Sequence, residues 1–312
     1  MALYAVDKPL GLTSHDVVDR ARERLGTRKV GHTGTLDPLA TGVLVLASGP
    51  STKLVSFLTG EDKEYIAWVS FGATTPTLDA EGPLEEGPPP TFTPRDLEQA
   101  LQHFLTLKEQ VPPAYSAVKV GGVRAYEAAR QGKRLVLEPR PVAYREVALL
   151  SFDPEVRAHR IAPGPSGWRL DARGRRVTLP KPLGRYPTAV VRLAVGSGTY
   201  VRAFARDLGA MLGTKAFLSG LVRTRVGRVS LEETVRLDAL SPQAALRETE
   251  VLPYPVVELA HAEVRRVIEG VPLPIPARGL VALTNKQGRL VAVAEGDGFK
   301  LKIKRVFKGE AV

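Results

Sequence analysis

The stretch Gly31 to Gly42, GHTGTLDPLATG, constrains this chain more than any other. Gly31, Gly34 and Gly42 give its backbone a freedom that residues with a Cβ lack. His32 and the carboxylate of Asp37 sit among them, and the apolar run Val43 to Ala47 follows at once. That run has the length and composition of a buried strand, so the polar loop is fixed at the edge of a core. Loops held by a rigid scaffold concentrate binding and catalytic groups. Spacing alone leaves Asp37 open between two roles: an N-cap before Pro38, a common start signal, and a reactive carboxylate.

A chain of 312 residues, 44% apolar, has room for one large domain and a small one. No run approaches the eighteen or so apolar residues of a membrane span, and the opening MALYAVDKPLG does not read as a signal peptide. With no cysteine, disulfide and thiolate chemistry are excluded, and a cytoplasmic protein is expected. Five scattered histidines offer no metal-ligand spacing, so neither a metal nor another cofactor is expected. The formal charge of +11 favours a polyanionic partner such as nucleic acid. Membrane surfaces are anionic too, but no long basic amphipathic helix supports that partner. A lone asparagine, Asn285, against 25 prolines gives the chain a thermophile-like balance.

Along the chain, Thr13 and Asp16 have capping-box spacing and Gly26 is a stop, which predicts a helix to Leu25. Arg20, Arg22, Arg24, Arg28 and Lys29 form either a solvated face or an RNA contact. A short helix is predicted over Ser51–Leu58, capped by Ser51. Glu64–Phe71 alternates as a strand, and Thr93-Pro94-Arg95-Asp96 opens a helix to about Leu105. Residues 110–140 carry Lys119, Arg124, Tyr126 and an Arg130-to-Arg134 cluster, which suits an RNA clamp or an ordinary basic hairpin. Strands are predicted at 142–152 and 188–195, and between them residues 153–186 form an arginine-rich β-hairpin. Gly196-Ser197-Gly198 then leads into a helix. A linker runs from Ser241 to Pro255. The remainder reads as a helix at about 261–269 and three strands, the last with Phe299, Leu301 and Ile303 packed and Lys300, Lys302 and Lys304 forming a cationic face.

The central stretch resembles the catalytic motif of the tRNA pseudouridine-55 synthase (TruB) family. Asp7 to Ser14 (DKPLGLTS), Lys63-Glu64-Tyr65, Gly198 to Arg202 (GTYVR) and Leu221 to Gly227 (LVRTRVG) resemble further motifs of that family, in the same order. The resemblance implies an α+β catalytic domain over 1–245 built on a curved, largely antiparallel sheet. Its RNA-clamping insertion would be residues 110–140, and the C-terminal 250–312 resembles a small PUA domain, an RNA-binding β module. Residues 153–186 depart from the pattern, and the resemblance says nothing of them.

The implied function is isomerisation of uridine-55 in the tRNA T-stem-loop, by a monomer without cofactor. Asp37 would be the nucleophile, since a carboxylate that forms a covalent intermediate splits a difficult step in two. Tyr65 would stack on the target base, and Arg202 would be the counter-ion that keeps Asp37 ionised in a dry cleft. Lys8, Pro9, His32, Tyr200 and Leu221 would shape the substrate site. Alone, these residues also read as a strand-to-turn step, a structural histidine and core apolar positions, and Arg202 as a phosphate contact. A stacked uridine must flip out before Asp37 can reach its sugar. Two alternatives are a guide-dependent relative acting on ribosomal RNA and a non-catalytic RNA-binding or folding protein on the same scaffold. A glycoside hydrolase needs two flanking carboxylates, and the central motif supplies one.

Overall fold

In the computed structural model residues 2–133, 135–180 and 184–307 are described. Arg134 of the proposed clamp and Lys181 of the arginine-rich segment lie outside them. Strand β1 (Ala2–Lys8) is followed by helix α1 (Ser14–Leu25), whose Thr13 and Asp16 form the expected capping box and whose Gly26 closes it in the left-handed region. Strands β2 (Val30–His32) and β3 (Ala40–Ser48) flank the glycine-rich loop. After β4 (Lys63–Phe71) come α2 (Pro94–His103), β5 (Tyr144–Asp153), and the short strands β6 (Arg160–Ala162), β7 (Arg169–Leu170) and β8 (Arg175–Arg176). Strand β9 (Thr188–Val195), helix α3 (Val201–Met211), strand β10 (Ala216–Val226) and β11 (Val235–Arg236) complete the larger, N-terminal part.

The main sheet runs β5-β9-β4-β10-β3-β1-β11, with β2 also paired to β3. All pairs named are antiparallel except β10 with β3 and β1 with β11. Register shifts between Leu218 and Gly220 and between Arg223 and Arg225 bend β10 along its pairing with β4. One sheet face packs on α2 and α3 through Phe71, Phe104, Tyr144 and Phe204. The alternation of β4 predicts one wetter face, yet every residue of the strand is buried. The second face is covered by Ile161, Trp168 and Val177 of the segment between β5 and β9. That segment is a three-stranded sheet ordered β7-β6-β8, not a simple hairpin.

Three local expectations are corrected. The helical stretch before β4 begins at Gly49 as a 3-10 turn and becomes α-helical only over Val55–Leu58. Ser51 lies inside it and donates to Glu248 at 3.1 Å instead of capping. The 241–255 linker is packed: Leu246 N–H donates to Leu3 O at 2.8 Å, and Val251 and Leu252 are buried. Beyond it, β12 (Val256–Glu258) lies parallel to β13 (Arg278–Thr284), which pairs with β14 (Leu290–Asp297) and through it with β15 (Leu301–Val306), while α4 (His261–Ile268) covers one side. Phe299 stands 86% exposed, before β15, so it does not pack. Lys304 pairs with Glu295 at 2.8 Å and Lys302 with Asp297 at 4.0 Å, which neutralises much of the anticipated lysine face.

Candidate active site

The loop from Gly34 to Pro38 is held by groups from three other elements. Arg223 of β10, 1% exposed, donates to Val43 O at 2.8 Å, to Gly34 O at 3.0 Å and to Thr35 O at 3.3 Å. The hydroxyl of Ser14, at the start of α1, accepts from Leu36 N–H at 2.8 Å and donates to Leu36 O at 3.1 Å. Lys8, at the end of β1, is fully buried and donates to the carbonyls of Pro9, Leu12 and Pro38. Burial lowers its pKa from the usual lysine value of 10.5 to about 8. The ammonium is therefore committed to backbone, while Pro9 is exposed.

Gly42 shows why the motif ends in glycine. Its φ is +100°, and a Cβ there would lie 2.2 Å from Arg223 O. The parallel contact of β3 with β10 thus requires both the conformation and the absence of a side chain.

With its backbone fixed, Asp37 presents its carboxylate to α3. Arg202 Nε donates to Asp37 Oδ2 at 2.7 Å and Nη2 to Oδ1 at 3.3 Å, a forked pair. The Arg202 side chain is 8% exposed, whereas that of Asp37 is 35% exposed, so one side of the carboxylate remains open. The rest of the guanidinium is used as well: Nη1 donates to Thr77 O and Nη2 to Tyr115 O, both at 3.0 Å. A stranded buried guanidinium would be costly, and here each nitrogen has an acceptor.

Tyr65 and Leu221 are buried in one apolar cluster with Leu36 and Leu39, the neighbours of Asp37. His32 pairs with Leu46 across β2 and β3. Its Nδ1 is buried without a partner, and burial together with the Arg223 guanidinium lowers its pKa. Tyr200 sits just before α3. Its backbone N–H donates to Gln110 Oε1 at 2.9 Å and its carbonyl accepts from Gln110 Nε2 at 3.1 Å, which ties the start of the 110–140 insertion to the site. Burial raises the pKa of its phenol.

The residues expected from sequence did not include Asp79, Arg223 or Ser14. Asp79, 4% exposed, lies 3.9 Å from Arg202 Nε and accepts from Thr77 Oγ1 at 2.7 Å. Burial raises its pKa, against the pull of Thr77, the Glu81 N–H and Arg202. Leu78 beside it has φ +63°, a strained value for a leucine. The signal for Asp79 was its place in the glycine-bounded 71–82 loop; Arg223 and Ser14 lay inside quoted motifs. A fixed loop and a carboxylate with one open side and a forked counter-ion behind it are what a nucleophilic carboxylate needs. Among the described residues no group of three or more His, Asp or Glu could hold a metal ion, and no helix is long and apolar enough to cross a membrane.

Residues 22–162 match the family model described as TruB family pseudouridylate synthase, N-terminal domain. The chain is 72% identical over 312 residues, all of both chains, to tRNA pseudouridine synthase B of Thermus thermophilus. It is 49% identical to tRNA pseudouridine synthase B of Deinococcus radiodurans over 308 residues, which cover 98% of this chain and all of that one. Among solved structures, it resembles a chain in the crystal structure of a Cbf5-Nop10-Gar1 complex with TM-score 0.68 and 23% identity, over 98% of this chain and 84% of that one. That last likeness concerns the fold.

Proposed function

Since this chain belongs to the TruB family of pseudouridylate synthases, we propose that it isomerises uridine-55 of the tRNA T-loop to pseudouridine, with Asp37 as nucleophile. It is an isomerase acting on tRNA, as the relatives named tRNA pseudouridine synthase B support. The reaction breaks the C1′–N1 bond, turns the base and joins C5 to C1′. No atom is lost and no electron leaves. Attack at C1′ gives a glycosyl ester and attack at C6 an adduct of the pyrimidine ring; both need an ionised carboxylate with a free side. The forked Arg202–Asp37 pair, with Asp37 partly open and Arg202 buried, carries this reading.

In this reading the target uridine flips out of the T-loop stack and lies against Tyr65 and Leu221, with His32 beside the space it vacates. Tyr200 and the Lys8–Pro9 turn bound the site. Residues 1–245 act as the catalytic domain, 110–140 as the clamp over bound RNA and 250–312 as a PUA-like RNA-binding unit of a monomeric cytoplasmic enzyme. The identity of 72% and 49% to tRNA enzymes favours a stand-alone tRNA enzyme over a guide-dependent one.

The test incubates the protein with an unmodified tRNA transcript and maps pseudouridine by carbodiimide-blocked primer extension. The expected result is one stop, reporting position 55, without any guide RNA or added cofactor. Asp37→Asn should give no product while binding tRNA nearly as well, because affinity rests on phosphate contacts spread over the surface. A near-normal single-turnover rate in Asp37→Asn would remove Asp37 from the nucleophile role.

A further inference from the structure

Beside the catalytic loop lies a groove of about 710 Å³ that contains none of Asp37, Tyr65, Asp79 or Arg202. Its arginines come from three separate parts of the chain. Helix α1 supplies Arg20 and Arg24, strand β8 supplies Arg175 and Arg176, and strand β11 supplies Arg236. Lys8, Pro9 and Leu10 close the end nearest the active site.

Two of the arginines are already matched: Arg175 pairs with Asp7 at 2.5 Å and Arg236 with Asp238 at 2.6 Å. Arg20, Arg24 and Arg176 have no carboxylate within ion-pair distance among the described residues, and Glu23 is the remaining acid of the lining. The groove therefore carries surplus positive charge. It has no aromatic side chain, so it offers no platform on which a base could stack. Guanidinium groups without stacking partners suit phosphate oxygens and read no sequence.

The small sheet that carries Arg175 and Arg176 is tied to the main sheet. Trp168 N–H donates to the buried Glu64 at 3.2 Å, Thr224 Oγ1 donates to the same carboxylate at 2.7 Å, and Arg192 donates to Trp168 O at 3.1 Å. Gly174, which turns the chain into β8, lies so close that a Cβ would stand 2.2 Å from Ile161 O. The described residues from β6 to β8 thus form a wall packed on the main sheet and not a loose arginine-rich loop.

We propose that this groove is a second RNA site, which holds the sugar-phosphate backbone of tRNA outside the stem-loop that enters the active site. The proposal rests on the tRNA reading above. A site adjoining the catalytic loop but separate from its reacting groups adds affinity for the whole substrate and leaves the chemistry untouched. The unmatched arginines each serve one phosphate.

The experiment compares full-length tRNA transcript with an isolated T-stem-loop hairpin, using the wild-type protein and the variant Arg20→Gln/Arg24→Gln/Arg176→Gln. For tRNA the variant should lose affinity at least tenfold. The slope of log affinity against log salt should become shallower by about 2 to 3, the sum of three phosphate contacts. Its single-turnover rate at saturating tRNA should be unchanged. For the hairpin, both affinity and rate should match wild type, which also shows that the variant folds. Unchanged tRNA affinity and slope, or an equal loss on tRNA and hairpin, overturns the second site. Wild-type protein inactive on both RNAs would instead overturn the tRNA reading.

Discussion

Arg202 meets Asp37 through two nitrogens and spends its remaining hydrogen bonds on Thr77 O and Tyr115 O. One side chain therefore gives Asp37 its counter-ion and ties two flanking loops to it. Arg202→Met should lower the single-turnover rate at saturating tRNA by a factor of about 100 or more, of the order of 3 kcal/mol. Arg202→Lys keeps the charge but loses the planar fork, so its rate should also fall while tRNA affinity changes little. Full rescue of Arg202→Met by saturating tRNA at neutral pH would make Arg202 a phosphate contact instead. The motif residues could be picked out through the family resemblance, whereas spacing alone left Asp37 open between two roles. Arg223 was harder to see, since its partners are the carbonyls of Gly34, Thr35 and Val43, and no pattern in a sequence marks a backbone acceptor.

At the scale of elements, the end of β1 shows how burial becomes a pH signal. Lys8 is fully buried, with its pKa lowered to about 8 from 10.5. Between those values the unfolded chain holds a proton on Lys8 that the folded chain has released. Stability must then rise with pH across the window, by at most about 1.4 kcal/mol per pH unit. Urea unfolding from about pH 7.5 to about pH 10 should show wild type gaining stability relative to Lys8→Met. Parallel curves would place the Lys8 ammonium in water. The helices were legible because capping boxes at Thr13/Asp16 and Thr93/Asp96 are local signals, and both are present. The double burial of β4 was not legible. Its second cover comes from Trp168 and Val177, far along the chain, and a long-range contact leaves no trace in local periodicity.

For the whole molecule, the decisive fact is that the C-terminal unit shares a core with the larger, N-terminal part. Its sheet packs on α4 through Val281, Leu283 and Val291, while its other face, with Ala282, Leu290, Val293 and Phe307, joins the cluster of Leu3, Leu54, Val251 and Leu252. From sequence, 241–255 is a linker ahead of a small C-terminal unit, and a cut near residue 250 should weaken tRNA affinity more than it slows the bound-state reaction. In the structure that cut removes Val251 and Leu252 and bares the apolar face under Leu3. A truncated protein should therefore lose stability along with affinity, and it cannot serve to isolate RNA binding. A point substitution separates the two effects. Phe307 is fully buried in the shared cluster, and replacing such a phenylalanine by alanine costs about 3–5 kcal/mol. If the two parts unfold together, Phe307→Ala should shift a single calorimetric transition of the entire chain to lower temperature, and below that transition the rate at saturating tRNA should equal wild type. A separate early transition, with the main one unmoved, would show that the C-terminal unit folds on its own.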